Sequence, residues 1–305
     1  MISHSTQSSH CGSMPHISKR EWIKWPPEPE SEPTNTLVLT SNTGKFIDIR
    51  VLKRDARDEA GEDVLPLSRL DWAFAGTATT KLDPNAGGKR ATGTWNHCID
   101  SRTDSPEDVE DTGEILSMPD GTSLEAGKMV NPDRPADGEV SYEELWKDVL
   151  ASPVAELPCA RLEDANGASA SEASQVPLRI CIVIELKDEH DRARGMVVRV
   201  GQFLQGIFKL TSQSGREPGV STTVERWAWS ERLASATEGG GDGRVDSSKA
   251  SAARASKDGW QRQLRIGDYW LPCGFAMGVE EGKVRVGQEI VYGEFEWKVV
   301  ELSYF

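Results

Sequence analysis

The hexapeptide Asp71-Trp72-Ala73-Phe74-Ala75-Gly76 constrains this chain more than any other stretch. Trp72 and Phe74 share one side-chain parity and Ala73 and Ala75 the other, the period-2 pattern of a strand with one face against a packed interior. The pattern recurs along the chain. Residues 37–39 and 45–52 flank Ser41-Asn42-Thr43-Gly44, a hairpin signal because Asn and Gly tolerate positive φ. Residues 91–99, carrying Trp95, read as a further long strand, and 114–118 and 127–130 as weaker ones. Runs at 177–187 and 195–208 read as a hairpin around Asp188-Glu189-His190-Asp191, and 222–230 places Trp227 and Trp229 at period two. Segments 261–270, 275–279, 290–291 and 294–302, the last with Trp297, close the pattern.

One helix is signalled. Ser141 stands as an N-cap with Glu144 three residues on, Val140 and Leu145 form a staple, and Leu145, Trp146 and Val149 supply an apolar face. Many short strands and few helices predict an all-β, mainly antiparallel architecture. A flat open sheet of this length leaves exposed edges, so closure into two consecutive β-barrel domains is expected. The boundaries expected are a disordered tail over 1–19, barrels over 20–155 and 177–305, a Ser/Ala/Gly linker over 156–176, and a disordered low-complexity insertion over 233–257. Trp22 and Trp25 read either as anchors against a sheet edge or as a docking peptide.

A formal charge of −14, from 49 acidic and 35 basic residues, argues against nucleic acid and anionic membrane surfaces as partners. The longest clean apolar run, 180–184, is too short to insert across a bilayer. Cys11, Cys98, Cys159, Cys181 and Cys273 are odd in number, widely spaced and without a C-x-x-C, so a disulfide framework or zinc knuckle is not expected, and a reduced intracellular setting is.

The aromatics Trp72, Phe74, Trp95 and Trp297 are the candidates for a barrel cavity or a filled core. A barrel of about eight strands is just wide enough for either. His97 reads as a strand residue facing solvent or a polar barrel end, with too few convergent ligands for metal or haem. Glu143 and Glu144, adjacent on a helix, would point about 100° apart and so would not face each other as an acid–base couple. Without a nucleophile elbow, P-loop or dinucleotide fingerprint, no catalytic, cofactor-binding or metal residue is assigned. Residues 104–114 hold six acidic side chains in eleven and read as a solvated loop. Ser105, followed by Glu107 and Asp108, and Ser117, three after Glu114, are candidate phosphosites for an acid-directed kinase.

Several of these stretches together resemble the fungal Hri family, named for interaction with a yeast casein kinase I. They are 36–53 with its Gly44 turn, Leu70 through Thr77, Val140 through Trp146, 195–206 (GMVVRVGQFLQG), and 287–302 with Phe295-Glu296-Trp297-Lys298-Val299. The resemblance covers most of the chain outside the tail, the length of the acidic loop and the insertion. His97-Cys98 departs from the apolar or aromatic residue the family pattern carries there. The resemblance implies two lipocalin-like (calycin-type) barrels, a non-enzymatic role, residence in cytoplasm and nucleus, and association with a casein-kinase-I-type kinase. The expected function is therefore a kinase-interacting module. The alternative is a carrier of a small apolar ligand in a barrel cavity.

Overall fold

The computed structural model describes residues 14–53, 64–154, 179–187, 193–211, 222–231, 256–257, 259–278 and 284–305. Eight antiparallel strands close into a barrel: β1 (His16–Lys24), β2 (Thr34–Thr40), β3 (Lys45–Leu52), β5 (Leu70–Leu82), β6 (Arg90–Asp100), β7 (Asp111–Ser117), β8 (Thr122–Val130) and β9 (Glu139–Val149). The short β4 (Val64–Leu65) lies outside this ring. Closure comes from β9 pairing back on β1, from Ile17 opposite Val149 to Lys24 opposite Glu143. The tail expected over 1–19 therefore ends before His16. Residues 16–19 are barrel strand, and Trp22 sits within it opposite Leu145.

The second half supplies β10 (Ile180–Lys187), β11 (Ala193–Val200), β12 (Phe203–Leu210), β13 (Thr222–Trp229), β14 (Ser256–Lys257), β15 (Trp260–Ile266), β16 (Glu289–Tyr292) and β17 (Phe295–Tyr304), and a short helix, α1 (Cys273–Met277). Their order is β14-β15-β13-β12-β11-β10-β17-β16, and β4 joins as a parallel neighbour of β15. Among the described residues this sheet runs open from β14 to β16, where the sequence predicts a second closed barrel. The run 195–208 is two strands, because Gly201 (φ 54°) and Gln202 turn the chain between Val200 and Phe203. The linker expected over 156–176 lies outside the described residues, as does the 233–257 insertion apart from β14.

The helix expected from Ser141 is strand β9. The capping box and staple are satisfied on paper, but β1 and β8 each offer a ladder, and the alternation Tyr142-Glu144-Trp146 turns inward as a strand requires. Tertiary pairing overrides a local signal of about 1 kcal/mol.

Strands β2, β3 and β5 are covered on both faces. Their outward parity (Leu37, Leu39, Ile47, Ile49, Ala73 and Ala75) packs into one apolar layer with Cys181, Val183, Met196, Val198 and Ile207 of the second sheet. The two halves thus share a core where two separate ones are expected from the sequence. A second cluster, with Phe208, Trp297 and α1, covers the sheet's other face. Polar bonds set the joint. Gln205 donates through Nε2 to the carbonyls of Leu37 and Ile47, both at 3.0 Å, and Arg226 donates through Nη2 to that of Ile49 at 2.8 Å. Glu301 of β17 accepts from the Ser41 hydroxyl at 2.7 Å and from the Asn42 and Thr43 amides at 2.9 and 3.3 Å, holding the β2–β3 turn.

Candidate functional site

The inward parity of the barrel strands is aromatic and charged, and it encloses a cavity of about 1070 Å³. Trp72 and Phe74 on β5, Trp95 on β6 and Trp146 on β9 line it. Trp72 and Phe74 lie 4.3 Å apart by ring centroid. Trp297 sits elsewhere. It is fully buried in the apolar layer behind the second sheet, over Gly195, where a Cβ would come within 2.4 Å of the indole. Trp25, beyond the end of β1, places its ring 6.2 Å from that of Tyr142.

At the heart of the cavity wall is an ion network. Arg50 donates through Nε to Asp48 Oδ2 and through Nη1 to Glu144 Oε1, each at 2.9 Å, and its Nη2 lies 2.9 Å from the same Asp48 oxygen. Glu144 also accepts from Arg20, which reaches Glu32 at 2.9 Å and Thr34 at 2.7 Å. Burial alone would pull the Arg50 guanidinium down, but the Asp48 and Glu144 charges hold it well above its ordinary value, so it stays cationic. Its guanidinium carbon stands 5.1, 5.5 and 6.0 Å from the ring centroids of Trp72, Phe74 and Trp146. Asp48 Oδ1 and Trp146 Nε1 have no hydrogen-bond partner among the described residues.

A second group surrounds His97, which is buried among polar partners, so of the two placements expected, solvent and a polar barrel end, the solvent-facing one does not hold. Its Nδ1 meets Asp100 Oδ2 at 2.9 Å and its Nε2 meets Asp111 Oδ2 at 3.1 Å, while the ring stacks on Phe74 at 4.4 Å. With a carboxylate at each nitrogen, only the imidazolium donates on both sides. Burial pulls its pKa down, but the bonds to Asp100 and Asp111 and their charges prevail, raising it to about 8. The ladder between β5 and β6 slips at this point: Ala75 pairs with Ile99 and Gly76 with His97. The extra residue, Cys98, is a β-bulge that sends His97 inward while Ile99 joins the shared apolar layer.

Opposite, Glu125 on β8 accepts from the Tyr142 hydroxyl at 2.7 Å. Burial, then the charge of nearby Glu144, pushes the Glu125 carboxyl up to about 8, against the opposing Tyr142 bond. Tyr142 fits because its partner across the ladder is Gly127, where a Cβ would lie 2.7 Å from the ring.

The stretch expected as a solvated acidic loop is partly strand. From Asp111 it is β7, and Asp111 lines the cavity. Ser105 is exposed beside the 3-10 turn Pro106–Asp108, and Ser117 is exposed at the end of β7. Lys209 reaches Asp104 at 2.9 Å and Arg194 reaches Glu107 at 3.2 Å, clamping that turn to the second sheet.

Sequence reasoning named Trp72, Phe74 and Trp95, which line the cavity, and Trp297, which does not; it placed Trp146 and Glu144 on a helix and missed Asp48, Arg50 and Glu125. Charges at 48 and 50 alternating with Ile47, Ile49 and Val51 look like an exposed face until both faces of β3 are known to be covered.

The fold is similar to that of the uncharacterized protein YLR301w from Saccharomyces cerevisiae, with a TM-score of 0.62 and 18% identity over 95% of this chain and 100% of that one. No curated protein matches the chain. The family model described as Protein HRI1 matches residues 16–301, nearly the whole length over which the barrel and the second sheet run, and the chain belongs to that family.

Proposed function

We propose that this protein is a non-enzymatic carrier that holds a small molecule inside its closed barrel. The observation that supports this is the cavity of about 1070 Å³ within the closed ring of barrel strands. Drug-sized ligands occupy pockets of roughly 300–1,000 Å³ lined by aromatic side chains with a few polar groups. The wall of Trp72, Phe74, Trp95 and Trp146 around Arg50, Asp48 and Glu144 has that composition. Its polar content favours an amphipathic ligand over the wholly apolar one expected from the sequence. Native mass spectrometry of gently purified protein is the test. A discrete added mass that is weakened or lost in Ser123→Trp, which projects an indole into the cavity from β8, is the expected result. A clean apo mass from native cells, with no small molecule recovered on denaturation, would remove the reading.

A second reading is docking of a casein-kinase-I-type kinase in cytoplasm or nucleus. Its support is the exposed Ser105 with Glu107 and Asp108 on a turn fixed by Lys209 and Arg194. Incubation of the full chain with such a kinase and ATP should place phosphate on Ser105 or Ser117. Phosphate elsewhere, or none, counts against it.

A further inference from the structure

We infer that the barrel selects an organic cation, an amine or guanidine carried on an apolar or aromatic body, over an anionic amphiphile. This rests on the carrier reading above and adds the sign of the ligand's charge. Five carboxyl side chains, Asp48, Asp111, Glu125, Glu144 and Asp148, line the cavity against one arginine, Arg50, and of the five Glu125 keeps its proton near neutral pH and adds no negative charge. Each nitrogen of that arginine already serves a wall acid, Nε and Nη2 Asp48 and Nη1 Glu144, which leaves at most one further N–H on each of Nη1 and Nη2. A ligand carboxylate could reach at most those two N–H groups, and there it would lie against the acids that Arg50 already serves.

The unmet demand in the wall is of the opposite kind. Asp48 is only 2% exposed, stands on the inward parity of β3, and leaves Oδ1 without a donor. A buried carboxylate oxygen without a partner is costly, and a ligand N–H⁺ answers it with a charge-assisted bond. Trp146 Nε1, also unpartnered, asks for an acceptor such as a hydroxyl on the same ligand. The walls already accommodate a cation, since Arg50 sits within cation–π range of Trp72, Phe74 and Trp146. At the rim, exposed Asp148, together with a net charge of −14, draws cations toward the mouth.

The test uses three probes with one body: 4-phenylbutylamine, 4-phenylbutanol and 4-phenylbutyrate, titrated calorimetrically into the full chain near neutral pH. The amine is expected to bind at least about tenfold tighter than the acid, with the gap narrowing as salt is raised. Asp48→Asn should weaken the amine about tenfold and leave the alcohol unchanged. Because Asp48 also supports Arg50, Asp148→Lys at the exposed rim provides a second arm, and it should narrow the amine-to-acid gap in a folded protein. Acid binding equal to amine binding, weakened or lost in Ser123→Trp, would overturn cation selectivity and keep the carrier. Binding of none of the three, with no bound small molecule in native protein, would overturn both.

Discussion

His97 and Glu125 give the barrel a proton dependence of one sign. Each is held above its ordinary pKa, at about 8 against 6.5 and 4.5. The folded chain therefore keeps a proton that the unfolded chain has released. The stabilisation is complete below the unfolded value and is lost as pH rises through about 8. For His97 the window runs from about 6.5 to 8, and for Glu125 from about 4.5 to 8. Each contributes a slope of at most about 1.4 kcal/mol per pH unit. Glu125→Gln retains the acceptor for Tyr142 and removes the ionisation. Urea denaturation should show that the gap in stability between Glu125→Gln and the parent chain grows in favour of the variant from pH 5 to 8. A constant gap would show that Glu125 ionises normally in the fold.

Among elements, β9 and β3 show what a one-dimensional pattern carries. In β9, Ser141 and Glu144 match a helix cap, yet Glu144 is buried at 1% exposure and spans Arg20 and Arg50 from two other strands. Nothing near it in sequence announces those partners, which lie 124 and 94 residues away. The aromatic parity of β5 was legible because Trp72 and Phe74 declare an interior directly. The charges of β3 were not, because their meaning depends on a sheet built from residues beyond 180. Removing Glu144 tests this reading of β9. Glu144→Ala leaves two buried guanidiniums short of a partner and should cost about 3–5 kcal/mol in chemical denaturation. A cap residue at a helix end would cost only about 1 kcal/mol.

For the whole molecule, the shared apolar layer makes the two halves one folding unit. A fragment ending at residue 154 would expose Leu37, Leu39, Ile47 and Ile49, all of which meet side chains of the second half. Such a fragment should be aggregation-prone, with poorly dispersed amide resonances, and the full chain should melt in a single transition. A well-dispersed spectrum from the fragment would mean that the barrel is self-sufficient. The joint itself has a further consequence. Gln205 and Arg226 grip main-chain carbonyls of Leu37, Ile47 and Ile49, not the side chains there. Over evolutionary drift those positions are free to exchange one aliphatic residue for another while the grip holds. A one-residue insertion or deletion in either strand would rotate the carbonyls out of reach, so the seam forgives changes of spelling and forbids changes of spacing.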